Sequence, residues 1–459
     1  MVTENGAVSE NLIPADAEGD PLPHMPEAGH AGKKHGAVKM PVSLLILSVL
    51  MLCSLAVCTW FFVYSAENSP DIENHPQEPG KLYDPTEEPE PAIINPEPEP
   101  EPEEVEDIVE KPPAVIAKGV YLAAWYPDRI PQYIELGNTT EFNALVLDIK
   151  DDYGHITFRT ETESLSASSR SYFPNIGETV AQLKSEGIYT IARIVCFRDP
   201  YWGAVRPDLA LQDSSGQTWE DSSGKKWLNP YNKDAWAIIA DAALEAARVG
   251  FEEVQLDYVR FPSGGRLSDI DYGDAMDEKS RTEIIAEFVA YIREILAKEG
   301  VRLSIDVFGI IALSRNDASI IGQDLSLLLP NADYISPMIY PSHFANKNQN
   351  GVGQIINGVL FEAPDLDPYG VVYNILMEYR RQLPDDGGDY AIIRPYLQDF
   401  TAAYLGEGFF QPYDATQVRE QVQAVYDAGF EEWLLWNHGS TYSVDAFIGD
   451  TDDSEDIAQ

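Results

Sequence analysis

From Lys118 onward the chain alternates short strand-like runs with longer helix-like runs. A half-buried strand has apolar residues at every second position, whereas an amphipathic helix has them at spacings of three and four. On this basis eight strands are predicted, at 118–125, 143–150, 189–197, 253–260, 302–308, 333–340, 391–398 and 432–437. The clearest helices are predicted at Lys233–Val249, Glu278–Lys298 and Gln417–Ala428, and Gly250, Gly300 and Gly429 follow them as stop signals.

Eight strand–helix units predict the fold class α/β, as a (β/α)8 TIM barrel that spans residues 117–448. The alternative is an open, doubly wound sheet. That fold needs a glycine-rich turn after its first strand to hold a phosphate, and this chain has Trp125-Tyr126-Pro127 there. The barrel is therefore the favoured prediction.

The strands also carry polar side chains on the face that does not meet the helices. Because successive strand residues point to opposite faces, one set is predicted to face the barrel lumen. It comprises Tyr121, Trp125, Val146, Asp148, Lys150, Arg193, Gln255, Asp257, Ser304, Asp306, Tyr334, Ser336, Tyr340, Arg394, Tyr396, Gln398, Leu435 and Asn437. The carboxyl ends of barrel strands line the active site, and a polar mouth without a phosphate loop favours a polyhydroxylated ligand.

Two of these residues are the leading catalytic candidates. Asp257 stands where the fourth strand ends, just before Pro262, and Asp306 occupies the matching position on the fifth strand. Cleavage of a glycosidic bond normally needs two carboxyl groups, and adjacent strands about 4.8 Å apart suit the separation of about 5 Å used by retaining enzymes. We expect Asp257 to be the nucleophile and Asp306 the acid; further candidates for the acid are Asp148, Asp151, Asp152 and Asp399.

The substrate-binding candidates are cations that hold a carboxylate ionised, amides and other polar groups for hydroxyls, and aromatic rings for the C–H faces of sugars. They are Trp125, Asp148, Lys150, Arg193, Gln255, Arg260, Tyr340, His343, Arg394, Gln398, Trp436 and Asn437. A repeat of Asp-Ser-Ser-Gly at Asp213 and Asp221 predicts a small β-meander with a tryptophan in each rung. Trp219 and Trp227 either attach the meander to the barrel or extend the cleft.

Six sequence blocks resemble those of a known family. They are KGVYLAAW at 118–125, LDIKDDYG at 147–154, ARIVCFRDP at 192–200, QLDYVRFP at 255–262, ISPMIYPSH at 335–343 and PYLQDF at 395–400. In this order they resemble a bacterial family of glycosyl hydrolase-like domains, long catalogued as a domain of unknown function. The resemblance covers about 117–445 and implies a TIM barrel with glycosidase-type chemistry. Tyr396 stands where that family has Trp, and Val259 departs from the acidic series of chitinase-like barrels, which disfavours substrate-assisted chemistry.

Composition excludes several classes of function. The net charge of −45 argues against a nucleic-acid partner, which would need clustered Lys and Arg. Neither HxH nor HExxH occurs, so no zinc site and no cofactor are predicted. Asp148, Asp151, Asp152 and Asp306 offer oxygen ligands for a hard cation such as Ca²⁺, but not at a recognisable loop spacing.

The first 116 residues have a different character. Residues 1–40 show no periodicity and predict a disordered cytoplasmic tail. Residues 41–64 are uncharged and long enough for a transmembrane helix; lysines precede them and acids follow, which predicts an extracellular barrel. Residues 65–116 form a predicted stalk rich in Pro and Glu, with 16 acids against one Lys between Glu67 and Glu110. Residues 449–459 predict an acidic disordered tail.

Together these features predict a single-pass membrane protein whose outer domain is a glycoside hydrolase for a cell-surface or extracellular polysaccharide. Two alternatives stay open at this point. One is a non-catalytic carbohydrate-binding barrel in cell-envelope assembly, and the other is a metal-dependent hydrolase or deacetylase.

Overall fold

The structure, a computed structural model, describes residues 114–447. The predicted N-terminal tail, the transmembrane helix, nearly all of the stalk and the acidic C-terminal tail lie outside the described residues. Within 114–447, no helix combines the length and the apolar character needed to cross a membrane.

Eight parallel strands form a closed barrel, which confirms the fold predicted for residues 117–448. They are β1 Lys118–Leu122, β2 Ala144–Lys150, β3 Tyr189–Val195, β4 Glu253–Asp257, β5 Arg302–Phe308, β6 Tyr334–Ile339, β7 in two pieces Ile392–Ile393 and Tyr396–Gln398, and β8 Trp433–Trp436. Each strand pairs in parallel with the next one along the chain, and β8 pairs with β1. The C-terminal ends of all eight strands therefore meet at one rim.

Seven helices surround the barrel: α1 Ile130–Gly137, α2 Ile176–Ser185, α3 Lys233–Val249, α4 Arg281–Lys298, α5 Arg315–Ile321, α6 Pro368–Gln382 and α7 Ala415–Asp427. Shorter helices lie in the loops at Glu163–Ser166, Pro200–Val205, Ala275–Glu278, Leu325–Leu328 and Lys347–Asn350. After β8 the described residues end in a 3-10 turn, Val444–Ala446.

The predicted helices differ from the observed ones only at their ends. Helix α3 has the predicted bounds, while α4 begins at Arg281 rather than Glu278. The hydroxyl of Ser280 accepts a hydrogen bond from the backbone N–H of Glu283, whose carboxylate accepts one from Ser280 N–H in return. This reciprocal capping box satisfies exposed donors and fixes the first turn of the helix.

One assignment of strand faces was wrong. Leu435 and Asn437 were predicted to face the lumen, but Leu434 and Trp436 pack with the lumen residues, and Trp433 and Leu435 pack towards the helices. Every residue of β8 is apolar, so alternation alone carries no information about its faces. Pairing decides the faces instead, because Leu435 lies beside Val120 of β1, which also packs towards the helices.

The predicted meander is present beside the barrel rim. Antiparallel bridges join Ala210 to Leu228, Gln212 to Thr218 and Glu220 to Lys226. Trp219 and Trp227 are both buried in the core of the domain. Of the two alternatives for these rings, the structure supports attachment of the meander to the barrel.

We expect Gly119→Ala to destabilise the barrel, because a methyl group at Gly119 would lie 2.6 Å from the carbonyl oxygen of Ala144 on β2. Such overpacking costs about 1–3 kcal/mol, measurable by denaturant unfolding of the full chain. Gly177→Ala in α2 is the matched control, since a methyl group there meets nothing within 4 Å; it should stabilise by about 0.4–1 kcal/mol. Equal effects from the two substitutions would contradict this account of the β1–β2 contact.

Candidate active site

Asp257 ends β4 with its side chain in the lumen, as predicted. Arg193 of β3 donates two hydrogen bonds to Oδ2 of Asp257, from Nε at 3.0 Å and from Nη2 at 2.6 Å. The backbone N–H of Tyr258 donates to Oδ1 at 2.6 Å. Charge-assisted bonds of this kind are short and strong, so both carboxylate oxygens have defined positions.

Tyr258 has an unusual backbone conformation. Its φ of +50° lies in the left-handed region, which a non-glycine residue enters at a cost of about 1–3 kcal/mol. Such strain persists only where surrounding contacts hold it, and it is common at functional sites. Here it occurs at the residue whose N–H binds the candidate nucleophile.

Arg193 binds more than Asp257. Its Nη1 donates to Asp148 Oδ1 at 2.8 Å and lies 3.4 Å from Asp152 Oδ2. Tyr121 donates to the other oxygen of Asp148 at 2.6 Å. Burial alone would lower the pKa of Arg193, but the surrounding carboxylates outweigh it and raise that pKa well above its usual value. Burial raises the pKa of Asp148 to about 6, so Arg193 stays charged within a cluster of acids.

Asp306 provides the second carboxyl group. Leu256 of β4 pairs with Ile305 of β5, which places Asp257 and Asp306 at the same level on neighbouring strands, about 4.8 Å apart by strand spacing. Asp306 is 2% exposed, and its Oδ1 has no hydrogen-bond partner among the described residues. Burial first, and the charge of Asp257 second, raise its pKa well above the usual value. Asp306 therefore keeps its proton to a higher pH than an exposed carboxyl group does.

A cavity opens above these two acids at the rim of the barrel. It is lined by Arg193, Asp257, Tyr258, Arg260, Asp306, Phe308, Gly309, Ile310, Met338, Tyr340, His343, Phe344, Tyr396 and Trp436. The ring centroids of Tyr340 and Trp436 lie 5.8 Å apart, and those of Tyr340 and His343 lie 4.9 Å apart. Burial lowers the pKa of His343 to about 4, so its imidazole is neutral at neutral pH and offers hydrogen bonds without charge.

The structure brings seven of the predicted site residues together in this cavity: Asp257, Asp306, Arg193, Arg260, Tyr340, His343 and Trp436. Trp125 lies apart from the cavity lining, on the loop after β1, with 42% of its surface exposed. Its predicted role as a platform for sugar stays a prediction.

The other predicted binding residues contact groups of the barrel itself. Lys150 is fully buried against Asp199, 2.6 Å away, and Arg394 is fully buried against Glu253 at the opposite end of β4 from Asp257. Gln255 accepts a hydrogen bond from Tyr396 at 2.8 Å. None of these three, nor Asp148, Gln398 or Asn437, lines the cavity.

Gln398 and Asn437 connect loops at the rim. Gln398 accepts a hydrogen bond from Ser342 N–H at 3.1 Å and donates to Asp365 at 2.9 Å. Asn437 accepts from Gly439 N–H at 2.8 Å and donates to the carbonyl of Asp399. Both side chains thus shape the surroundings of the cavity without facing it.

Three of the alternative acids have other partners. Asp148 binds Arg193 and Tyr121, while Asp151 accepts from the N–H groups of Tyr153 and His155 in a tight turn. Asp399 accepts two hydrogen bonds from Ser443. In the part of the chain that the structure describes, no group of three or more potential ligands could hold a metal ion.

Several cavity residues were absent from the predicted site, among them Tyr258, Phe308, Ile310, Met338 and Phe344. Their one signal was position, because each lies near the carboxyl end of β4, β5 or β6. Their apolar character gave no reason to separate them from core residues. Tyr396 was assigned to the lumen face but not to the site, and its ring does reach the cavity.

The closed parallel barrel defines a TIM-barrel protein. Two acids lie at the carboxyl ends of its strands, where glycosidases of this fold also have their acids. Residues 119–442 match the family described as "Putative glycosyl hydrolase domain", and the chain belongs to this family. The resemblance noted in the sequence is thereby confirmed. No curated protein matches the sequence.

Two solved structures illustrate what the chain is similar to. A hypothetical protein from Ruminiclostridium thermocellum ATCC 27405 is 37% identical over 42% of this chain and 100% of its own, with a TM-score of 0.39. The glycoside hydrolase domain of PgaB (BpsB) from Bordetella bronchiseptica is 14% identical over 70% of this chain and 94% of its own, with a TM-score of 0.51. At that identity the second likeness concerns the fold alone.

The raised pKa of Asp306 predicts a pH-dependent cost to stability. Above about pH 4 the unfolded carboxyl ionises, whereas the raised pKa of the native carboxyl lets it keep its proton to a higher pH. Wild type therefore loses up to about 1.4 kcal/mol per pH unit until the native pKa is reached. Asp306→Asn removes this loss. Its free energy of unfolding should therefore rise relative to wild type between pH 4 and pH 7.

The measurement is denaturant unfolding of both proteins across that pH range. Asp389→Asn is the control for removing one acid, because the side chain of Asp389 is 94% exposed. If both variants differ from wild type by the same amount at every pH, the raised pKa of the buried Asp306 is contradicted.

Proposed function

We propose that the protein is a glycoside hydrolase in which Asp257 is the nucleophile and Asp306 the general acid. The observation that carries the proposal is the contrast between two carboxyl groups at one level of the barrel. Arg193 donates two hydrogen bonds to one oxygen of Asp257, whereas burial first, and the charge of Asp257 second, raise the pKa of Asp306 well above its usual value. Glycosidases need a pairing of one ionised and one protonated acid.

In the first step Asp306 donates its proton to the glycosidic oxygen as the bond from that oxygen to the anomeric carbon breaks. Asp257 forms a bond to the same carbon and gives a covalent glycosyl-enzyme. The spacing of neighbouring strands, about 4.8 Å, agrees with the separation of about 5 Å between the acids of retaining enzymes.

In the second step Asp306 acts as the general base, because the charge of Asp257 also influences the pKa of Asp306. Once Asp257 is esterified it carries no charge, so one cause of the raised pKa of Asp306 is gone. The ionised Asp306 can then accept a proton from a water molecule that attacks the anomeric carbon. This step releases the sugar, frees Asp257 and returns the proton to Asp306.

The cavity walls suit a sugar. Tyr340 and Trp436 present aromatic rings on one side, which match the C–H faces of a pyranose. Arg260 and His343 present hydrogen-bonding groups to the same cavity, and the neutral state of His343 lets it both donate to and accept from hydroxyls. We infer that the substrate is a cell-surface or extracellular polysaccharide, because the outer domain follows a predicted membrane span and stalk.

We expect Asp257→Asn in the full chain to lower kcat by at least about 1,000-fold, because the amide cannot act as the nucleophile. Affinity for the glycan should change little, since the amide fills the same space. The assay measures new reducing ends from a panel of envelope polysaccharides, and calorimetry measures binding. Asp389→Asn, a surface acid, should keep wild-type turnover.

The same assay separates the rival functions. Binding of a glycan by wild type without any release of reducing ends would support a carbohydrate-binding barrel and contradict hydrolysis. Loss of turnover on exhaustive chelation, regained with added metal, would instead support a metal-dependent hydrolase or deacetylase.

We also propose that the protein is anchored by residues 41–64, with its N-terminus in the cytoplasm and its barrel outside the cell. The uncharged run and the lysines before it support this orientation. Trypsin added to intact cells should then digest or release the barrel, with Lys81 in the stalk as one site. A barrel that survives trypsin until the cells are lysed would contradict the orientation.

A further inference from the structure

The meander at 210–228 contains two turns of identical sequence but different surroundings. In each, the Oδ1 atom of the leading aspartate accepts backbone N–H groups from the second and fourth residues that follow. Asp213 binds Ser215 and Gln217 at 2.8 and 3.1 Å. Asp221 binds Ser223 and Lys225, both at 2.9 Å. The two turns are therefore equivalent as local structure.

Only the second turn makes contacts beyond itself through its other carboxylate oxygen. The Oδ2 atom of Asp221 accepts hydrogen bonds from Trp227 Nε1 at 3.0 Å and from Arg198 Nε at 3.4 Å. Both Asp221 and Arg198 are buried. Burial by itself raises the pKa of Asp221, but these bonds and those of the turn outweigh it, so the pKa falls below its usual value. A buried ion pair thus joins the meander to the loop after β3.

Arg198, which binds Asp221, also binds Tyr258. Its Nη1 donates to the Tyr258 hydroxyl at 2.9 Å, and its guanidinium carbon lies 5.0 Å from the centre of the Tyr258 ring. The Trp227 ring meets the same tyrosine edge-on, with centroids 5.8 Å apart. The second turn therefore holds the tyrosine at its hydroxyl and at its ring.

Tyr258 in turn holds Asp257. The left-handed backbone of Tyr258 directs its N–H to Oδ1 of the preceding carboxylate at 2.6 Å. A tyrosine gains nothing from this conformation by itself, so contacts elsewhere must maintain it. Arg260 also lies over the Tyr258 ring, at 4.9 Å, and Phe197 N–H donates to the Tyr258 carbonyl at 3.3 Å. The contacts from Arg198 and Trp227 are the ones that link Tyr258 to Asp221, because both of these residues bind Asp221.

We propose that Asp221, acting through Arg198 and Trp227, is a positioning residue that keeps Tyr258 in its left-handed conformation and so orients the carboxylate of Asp257. This inference rests on the proposed role of Asp257 as nucleophile. The inference gives the meander a role beyond the packing of Trp219 and Trp227 in the core. The meander would contribute to the rate of the chemical step without touching the substrate.

The chain supplies its own control. Asp221→Asn keeps Oδ1 for the turn but replaces Oδ2 with an amide nitrogen, which cannot accept hydrogen bonds from Arg198 and Trp227. Asp213→Asn makes the same change in the first turn. In the full chain we expect Asp221→Asn to lower kcat at least about tenfold with KM within about threefold of wild type, and Asp213→Asn to leave both within about twofold.

A thermodynamic cycle separates positioning from general damage. Tyr258→Phe removes the hydroxyl that Arg198 binds, and it should lower kcat in the wild-type background. In the Asp221→Asn background it should have little further effect, because both changes break one chain of contacts. Independent, multiplicative losses in kcat, or equal losses in the Asp213 and Asp221 variants, would overturn the proposal.

A structural measurement tests the same idea without relying on activity. Crystal structures of the two Asn variants should show Tyr258 leaving the left-handed region, or its N–H leaving Asp257, in Asp221→Asn alone. An unchanged Tyr258–Asp257 contact in Asp221→Asn would refute the positioning role. Absence of turnover in wild type with the expected structural change would instead count against the proposed hydrolase and leave the positioning role supported.

Discussion

The arrangement of the site depends on one buried guanidinium that several carboxylates share. Arg193 binds Asp257 and Asp148 directly and lies near Asp152. A charge in the lumen is tolerated only when it is paired and hydrogen-bonded, and β2, β3 and β4 each provide one member of the group. The strand pairings around β3 therefore hold Asp257 at a fixed height in the barrel. Its two oxygens then point to Arg193 on one side and to Tyr258 on the other.

The lumen gives the two acids, Asp257 and Asp306, different surroundings. Asp257 accepts hydrogen bonds from Arg193, while Oδ1 of Asp306, one strand further on, has no hydrogen-bond partner among the described residues. Below them, Gln255 accepts a hydrogen bond from Tyr396, and lower still Arg394 pairs with Glu253. Burial raises the pKa of Glu432, beside Arg394, to about 7. The ion pairs of Arg394 lie at the N-terminal end of the barrel strands and contribute to stability. The ion pair of Arg193 and Asp257 lies at the C-terminal end and lines the cavity.

Much of this architecture was readable from the sequence. Alternation along β2, β4 and β5 placed Asp148, Asp257 and Asp306 in the lumen, because these strands have polar residues on one face only. Alternation failed at β8, where all four residues are apolar and the pairing with β1 sets the faces. It also placed Lys150 and Arg394 among the ligand-binding residues, since a cation in a strand looks the same whether it faces a ligand or a buried acid.

By itself, then, the sequence determined the number and order of the strands, three of the helices between them, and the two lumen acids at matching positions on neighbouring strands. These follow from periodicity and from local capping, which depend on residues close in the chain. The tertiary structure alone decided how the surroundings of the two acids differ and which rings and apolar groups line the cavity. It also decided that one of two identical turns would reach the tyrosine beside Asp257. Those outcomes depend on burial and on contacts between residues far apart in the chain, and no local pattern encodes them.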